Sequence, residues 1–310
     1  MPERSTFSLS PRESFLLIHT QTTLAHSARC RGTSVHRGEK VNLSLRPAEP
    51  NAGVVFRCGA TEVPALFKSL SGANQATELS HGGARVGTVE HLLATLSAEG
   101  IDNVIVELDG HELPIFDGSA IDWVRLLKQG GRHASRIPRR YVQILKTVEV
   151  AWGDRSIRIS PSDRMSLSCM IDFDHPLIGR QSFEIDRLTS ASFEDELASA
   201  RTFGFESDAD QLRSVGLALG ASLANTLVLT REGLMNEGGL RWPDEFVRHK
   251  ALDLVGDLAL LGGPVLGHIE VKRGGHGLHH ALLSELMADS ESWRWTALPE
   301  PPSRSPEGNP

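Results

Sequence analysis

The apolar positions of residues 241–261 (RWPDEFVRHKALDLVGDLALL) recur at helical spacing and predict a largely buried helix. Residues 242–245 are typical of a helix start, because proline is tolerated in the first turn and two acids complement the positive end of the dipole. His249, Asp253 and Asp257 interrupt the apolar pattern at intervals of four residues, which places their side chains on one stripe. Because burying such groups unpaired is costly, the sequence predicts partners for all three.

Alternating and β-branched residues predict strands over much of the remaining chain. We place these strands at residues 15–25, 40–46, 54–57, 101–108, 141–150, 156–160, 165–173 and 265–272, with one more strand and a short helix within 183–199. Thr88 is the predicted N-cap of a helix that Gly100 ends, and two further helices are predicted at 120–128 and 278–287. Residues 69–86 are predicted to form a loop or short irregular strands, and the polar residues 129–138 to form a linker.

The order helix, turn, apolar strand, turn, helix occurs twice, at residues 88–128 and 243–287, each time with a histidine early in the leading helix. This weak repeat predicts two related α+β domains that face one another. We place the domains at residues 13–135 and 139–290. Disordered tails are expected at residues 1–12 and 298–310, which are polar or proline-rich.

Composition narrows the class of protein. With 32 basic and 39 acidic residues the net charge is −7, which argues against nucleic-acid binding. Cys30, Cys58 and Cys169 are widely separated, which indicates a reducing compartment without disulfides and leaves a thiol nucleophile open. The N-terminus has no signal-peptide core, and the longest apolar region, 251–267, is broken by two aspartates and is too short to cross a membrane. We expect a cytoplasmic monomer with at most peripheral membrane contact.

His249 and Asp253 lie one helical turn apart and are suited to binding a first-row metal. The commoner interpretation of an isolated His-x-x-x-Asp spacing is a hydrogen-bonded pair or a solvated face. If the two leading helices meet, His91 becomes a third ligand. Two histidines and a carboxylate with an open fourth position are typical of catalytic zinc.

Three further residues are candidates for acid–base chemistry. Glu90, beside His91, suits a general base, although an acid in a first helical turn more often complements the dipole. His276 lies in the glycine-rich residues 272–277, a flexible turn from which it could act as a general acid. With 13 histidines in the chain, a surface histidine is the strong alternative, and we assign His279 and His280 to the surface. Asp257 could orient His276, or form a salt bridge along its helix.

Several segments taken together resemble, in order, the bacterial UDP-3-O-acyl-N-acetylglucosamine deacetylase family. They are TVEHLLATL (88–96), GIDNVIVELDGHELPIFDGSA (100–120), IDFDHPLIG (171–179), ARTFGF (200–205), GLALGAS (216–222), MNEGGLRWPDEFVRHKALDLVGDLALLG (235–262) and KRGGHGLHHALL (272–283). The resemblance extends from about Thr22 to Met287, and the combination of VEH, RTFGF, EFVRHKALD and GGHGL is more diagnostic than any one motif.

The resemblance implies a zinc amidase of lipid A biosynthesis, in which two similar domains, each a β-sheet with helices, form a sheet/helices/sheet sandwich. The implied substrate is an acylated UDP-N-acetylglucosamine. The resemblance places the family's zinc ligands on His91, His249 and Asp253, and its base and acid on Glu90 and His276. Ferrous iron is an alternative metal. The remaining assignments are Thr202 for binding the oxyanion, Asp257 for supporting the histidine, and Lys250, Phe203, Phe205, Asp208, Arg273 and His36 for contacting substrate.

The same resemblance places an acyl-chain passage at about residues 171–193, beside Phe203. The sequence departs from the family pattern at residues 33–35, where the family has a more glycine-rich turn, and at Arg273, where it usually has lysine. Residues 69–86 match poorly. Two alternatives remain: a related metal amidase acting on another N-acetylated sugar nucleotide, and a catalytically silent ligand-binding paralogue, against which the intact candidate residues argue.

Overall fold

The computed structural model describes residues 19–73 and 75–298. Within these residues six α-helices accompany several β-sheets, which confirms the predicted α+β class. The helices are α1 (Glu90–Glu99), α2 (Ile121–Gly130), α3 (Ser190–Glu196), α4 (Ala209–Ser214), α5 (Glu245–Leu258) and α6 (His276–Ala288). None of the helices in this part of the chain is long and apolar enough to cross a membrane.

The first half of the chain forms a five-stranded sheet in the order β2-β3-β9-β4-β5. Its strands are β2 (Ala28–Thr33), β3 (Lys40–Pro47), β4 (Val54–Cys58), β5 (Thr61–Pro64) and β9 (Val104–Leu108). In β3 the alternating Val41, Leu43 and Leu45 are buried, so one face packs on the core as the period of two dictates. The segment at residues 69–86, whose structure the sequence left open, forms a small sheet of β6 (Leu70–Gly72), β7 (Glu78–His81) and β8 (Ala84–Val86).

The second half forms a seven-stranded sheet centred on β18 (Val265–Lys272), which pairs with strands on both sides. The other strands are β11 (Tyr141–Ile144), β12 (Val148–Trp152), β13 (Arg155–Pro161), β14 (Met165–Phe173), β15 (Gly179–Ile185) and β19 (Trp293–Thr296). The predicted strand 141–150 is therefore two strands separated by a break. A short parallel pair, β16 (Phe203–Phe205) and β17 (Leu227–Leu229), lies outside this sheet.

Helices α1, α2, α5 and α6 lie between the two large sheets. In the first half α2 contacts β2, and in the second half α5 contacts β14 and β15 while α6 contacts β12 and β13. Helices α1 and α5 pack on each other and join the two halves. The sheet/helices/sheet arrangement follows from these contacts, whereas the domain bounds and the internal duplication stay predictions.

Two local predictions are wrong. The polar segment 129–138 is not a linker throughout, because β10 (Arg132–Pro138) pairs antiparallel with β1 (Thr20–Leu24). Thr88 does not cap α1: its backbone φ is 54°, and its hydroxyl donates to Glu112 instead. Gly100 does end α1, in the left-handed conformation that favours glycine. Of the predicted tails, residues 1–12 and 299–310 lie outside the described residues.

Candidate active site

A close approach of two helix backbones brings distant charged residues together. Gly256 of α5 lies so near Glu90 of α1 that a Cβ atom at position 256 would be 2.1 Å from the Glu90 carbonyl oxygen. Only a residue without a side chain permits that contact. As a result His91 faces His249, with their ring centroids 5.0 Å apart and their planes at 87°.

His91, His249 and Asp253 form a compact group of ligand atoms, here named the donor triad. One nitrogen or oxygen from each residue lies within 4.8 Å of the others, and all three side chains are buried. Asp253 Oδ1 lies 3.6 Å from His91 Nε2 and 3.5 Å from His249 Nε2. Such separations are long for hydrogen bonds, but they suit atoms that surround one small cation.

The surroundings of the donor triad leave nitrogen lone pairs available. His249 Nδ1 donates to the Ala200 carbonyl at 3.0 Å, so the neutral ring carries its lone pair on Nε2. Burial lowers the pKa of His249 to about 3, which keeps the ring neutral. Among the described residues His91 Nδ1 is buried without a hydrogen-bond partner. The neutral His249 ring, the His91 ring and one carboxylate are together a donor set that fits a divalent first-row cation such as Zn²⁺ or Fe²⁺.

Asp253 is held in its charged form. Burial alone would raise the pKa of Asp253, but the positive charge of Lys250 holds it well below its usual value. Lys250 Nζ donates to Asp253 Oδ2 at 2.9 Å. This contact makes the lysine a partner of a candidate metal ligand, a role that the sequence did not suggest.

A second buried group, here named the Asp257 cluster, lies beside the donor triad and contains Asp257, His276, His279, His280 and Thr77. Asp257 Oδ2 accepts from His276 Nδ1 at 2.7 Å and from His279 Nδ1 at 2.8 Å. Asp257 Oδ1 accepts from the Thr77 hydroxyl at 2.5 Å. His280 Nε2 lies 3.1 Å from the same hydroxyl. Both carboxylate oxygens thus have protein donors.

Glu90 and His276 face each other where the donor triad and the Asp257 cluster meet. Glu90 Oε1 and Asp253 Oδ2 each lie 3.9 Å from His276 Nε2. Burial would lower the pKa of His276, but the adjacent Asp257 carboxylate outweighs it and raises the pKa to about 9. Burial raises the pKa of Glu90 above its usual value. A carboxyl group and a histidine with displaced pKa values are typical of a general acid–base pair.

A cavity of about 380 Å³ opens onto these groups. Most residues singled out from the sequence line it, namely His36, Glu90, His91, Thr202, Phe203, Phe205, His249, Lys250, Asp253 and His276. Apolar side chains such as Leu212, Leu223 and Val228 also line it, together with a few polar ones. The cavity therefore joins a polar centre to an apolar wall.

Three candidates do not line this cavity. Asp257 is buried behind His276 and hydrogen-bonded to it. Arg273 forms an ion pair with Asp154, and Asp208 lies exposed at the end of the 3₁₀ helix Glu206–Asp208.

The segment predicted to form the acyl passage, 171–193, also contributes no residue to the cavity. It consists largely of the β14–β15 hairpin, and Phe173 packs against Phe203 and Phe205, which do line the cavity. The apolar wall comes instead from residues 203–235. An acyl passage at 171–193 stays a prediction.

Two expectations about histidines are wrong. His276 is not on a flexible turn but is the first residue of α6, where the helix fixes its direction. His279 and His280 are not on the surface: they are 1% and 8% exposed and belong to the Asp257 cluster. Both rings lie on the buried side of α6, where polar groups need partners, and Asp257 and Thr77 provide them.

Comparison with known proteins gives a consistent result. Residues 21–288 match the model of the UDP-3-O-acyl N-acetylglycosamine deacetylase family. The chain is 43% identical to the UDP-3-O-acyl-N-acetylglucosamine deacetylase of Myxococcus xanthus (strain DK1622), with 87% of each chain covered. It is 43% identical to the Stenotrophomonas maltophilia (strain K279a) deacetylase and 44% identical to that of Xanthomonas oryzae pv. oryzae (strain PXO99A), over 92% of this chain and 96% of each relative. The chain belongs to this deacetylase family.

Membership of the deacetylase family makes the chain a hydrolase and confirms the resemblance read from its motifs. In this family member, sequence analysis gave no role to two buried acids that hold the site, although both lie within the quoted motifs. Glu245 is buried, and its carboxylate accepts hydrogen bonds from the backbone N–H and the guanidinium of Arg201. These bonds fix the backbone next to Thr202. Glu112 accepts from the backbone amide of His36 and so fixes that turn. The signal that could have suggested both residues is an acidic side chain inside a segment that resembles the family.

The cysteines of this deacetylase-family chain play no part in the site. Cys30, Cys58 and Cys169 are free thiols, and none lines the 380 Å³ cavity. Burial raises the pKa of Cys30 to about 11 and that of Cys169 to about 12. Because the thiolate is the nucleophile, such thiols are poorly reactive. The thiol nucleophile that composition left open is therefore not supported.

Proposed function

We propose that this chain removes acetate from the 2-acetamido group of UDP-3-O-[(3R)-3-hydroxyacyl]-N-acetylglucosamine, the committed step of lipid A biosynthesis. Family membership supports the reaction class. The single observation that supports the mechanism is the position of Glu90 and His276, which face each other beside the donor triad. Hydrolysis of an amide needs a base for water and an acid for the departing nitrogen, and these two residues can supply both.

His91, His249 and Asp253 would hold one divalent metal ion, with Zn²⁺ as the proposed metal. When bound, such an ion acts as a Lewis acid on the carbonyl oxygen and lowers the pKa of water from 15.7 to about 7. The protein's own contribution is to keep the His249 imidazole neutral and the Asp253 carboxylate charged. The buried His249 and the Lys250–Asp253 contact achieve this.

Glu90 is the proposed general base. Its carboxyl group is buried, and its Oε2 accepts the Thr77 backbone N–H at 3.1 Å, which leaves Oε1 to face the reacting centre. Because burial raises its pKa, Glu90 is a better base than an exposed glutamate. In the proposed step it takes the proton of the attacking water.

His276 is the proposed general acid. Asp257 holds its Nδ1–H, so that Nε2–H points to the side where Glu90 and Asp253 lie. In the proposed step Nε2–H protonates the departing amine nitrogen, which is too poor a leaving group as an anion. The Thr202 side chain lines the same cavity and is proposed to donate to the oxyanion, together with the protonated His276.

The cavity supports an amphiphilic substrate. Its polar centre carries Lys250, whose Nζ lies 5.7 Å from the centroid of the Phe203 ring. Beyond Phe203 the wall is apolar, which suits an acyl chain, whereas His36 and Lys250 suit the sugar nucleotide. We also propose that the enzyme is cytoplasmic, because its three free cysteines suit a reducing compartment, and that it is a monomer.

The test is acetate release from the acylated UDP-sugar, measured together with the metal content of the protein. We expect release to require one divalent ion per chain, to stop on chelation and to return with Zn²⁺. A parallel reaction with UDP-N-acetylglucosamine lacking the 3-O-acyl chain should be far slower. Equal rates on both substrates would contradict the acyl specificity, and release from neither would contradict the function.

A further inference from the structure

Thr77 touches both the candidate base and the support of the candidate acid. Its side chain is fully buried, and it follows the short strand β6 rather than lying in any recognised motif. Its backbone N–H donates to Glu90 Oε2 at 3.1 Å, and its hydroxyl donates to Asp257 Oδ1 at 2.5 Å. Glu90 lies on α1 and Asp257 on α5, so one residue links two helices through the chemistry of the site.

The direction of each hydrogen bond follows from counting donors. An ionised Asp257 can only accept, so the Thr77 hydroxyl must give its proton to Oδ1. The oxygen of that hydroxyl is then free to accept, and His280 Nε2 lies 3.1 Å away. Asp257 Oδ2 is left to His276 and His279. The carboxylate is thus fixed against rotation at both oxygens.

We propose that Thr77 is a positioning residue, whose hydroxyl fixes the Asp257 carboxylate so that Oδ2 stays against His276 while its amide holds Glu90. This inference rests on the proposed deacetylation, because it assigns a role within that site. Without the hydroxyl, Oδ1 would be left without its strongest donor, and His280 Nε2, 3.6 Å from Oδ1, would compete for the carboxylate. The carboxylate could then turn away from His276.

The test compares isosteric variants in the full-length, zinc-loaded enzyme. Thr77→Val keeps the shape and removes the hydroxyl, whereas Thr77→Ser keeps the hydroxyl. The matched control is Thr22→Val, at a buried threonine whose hydroxyl donates to the Gly100 carbonyl, away from the cavity. We expect Thr77→Val to lower kcat about 10–100-fold, the loss typical of removing an outer partner of a site, with KM and zinc content unchanged. Serine should restore kcat, and Thr22→Val should leave it unaltered.

Two further readouts separate positioning from general damage. In an Asp257→Ala background, Thr77→Val should have no additional effect on kcat, because its role would act through that carboxylate. The downfield proton resonance of His276 Nδ1–H should be present in the wild type and Thr77→Ser and be shifted or lost in Thr77→Val. The proposal would be overturned by any one of three results. These are a wild-type kcat in Thr77→Val, a loss of kcat on adding Thr77→Val to Asp257→Ala as large as the loss in the wild type, and an unchanged His276 resonance in Thr77→Val. The resonance needs no substrate, so failure of the deacetylase assay in the wild type would count against the proposed function alone.

Discussion

The donor triad and the Asp257 cluster contain the same kinds of side chain at the same depth, yet their hydrogen bonding differs. In the donor triad, Asp253 Oδ1 has no contact with either imidazole nitrogen closer than 3.5 Å, and His91 Nδ1 has no partner among the described residues. In the Asp257 cluster both carboxylate oxygens accept bonds of 2.5–2.8 Å from protein donors. The facing atoms of the donor triad are therefore too far apart to bond one another, whereas both carboxylate oxygens of Asp257 are satisfied by protein donors.

Distance alone would not separate the two groups. Asp257, His276 and His280 also offer ligand atoms within 4.8 Å of one another. The Thr77 hydroxyl, however, lies among them, 2.5 Å from Asp257 Oδ1, 3.2 Å from His276 Nδ1 and 3.1 Å from His280 Nε2. A position already filled by a hydroxyl cannot take an ion without moving it. We therefore propose the donor triad, rather than the Asp257 cluster, as the metal site, and proton handling as the role of the Asp257 cluster.

The largest effect should come from His249→Ala, which removes one ligand of the donor triad. We expect zinc content to fall to near zero and activity to fall by more than the roughly 10–100-fold that loss of an outer partner costs. Metal analysis after dialysis and an acetate-release assay would measure both. The matched control is His280→Gln, at a buried histidine of the other group, which should retain zinc. Equal zinc loss in both variants would remove the distinction between the two groups.

Glu90→Gln should be the next largest change. The amide keeps the shape of the side chain but cannot take a proton, so we expect kcat to fall about 10²–10⁴-fold. Zinc content should match the wild type, since Glu90 is not in the donor triad. Loss of metal in proportion to the loss of rate would instead make Glu90 a ligand.

Asp257→Asn should sharpen the comparison through the pH profile. His276 must be protonated to act, so wild-type kcat should decline as pH rises through about 9. In the variant the attraction that raises the pKa of His276 is gone and the effect of burial, which lowers it, remains. The basic limb should therefore move to lower pH, with zinc retained. A basic limb that stays at the wild-type pH would assign it to another group.

The smallest effect is expected for His279→Leu. His279 donates to the same Asp257 oxygen that accepts from His276. Removing it leaves more of the carboxylate charge to His276, so the basic limb should move slightly upward, opposite to Asp257→Asn. We expect kcat at pH 7 to change less than about tenfold, as is typical of one hydrogen bond. A shift of the basic limb to lower pH would mean that His279 orients the Asp257 carboxylate rather than competes with His276 for its charge.

The donor triad could be predicted from sequence because helix geometry alone determines part of it. A four-residue interval places His249, Asp253 and Asp257 on one stripe of α5 whatever the rest of the chain does. The leading helix of the first half then supplied His91 and Glu90. The α+β class followed for a similar reason, since alternation in strands such as β3 reflects a buried face.

The Asp257 cluster could not be assembled in the same way, because tertiary contacts decide its membership. Thr77 lies in a segment without helical or strand periodicity, and only the folded chain brings it to Asp257. His279 and His280 looked like surface residues, since no sequence pattern shows which face of a mostly apolar helix turns inward. The β10 strand was missed for the same reason: its residues are polar, and pairing with β1 is what makes them a strand.

Gly256 makes the donor triad and the Asp257 cluster depend on the same contact between two helices. It lies on the same helix as Asp253 and Asp257, against the peptide of Glu90, where an added methyl carbon would be 2.1 Å from an oxygen. The distance between α1, which carries Glu90 and His91, and α5, which carries His249, Asp253 and Asp257, is thus set by a missing side chain rather than by any charged residue. Gly256→Ala would push the two helices apart without altering any of these five side chains, so that both groups would be displaced together.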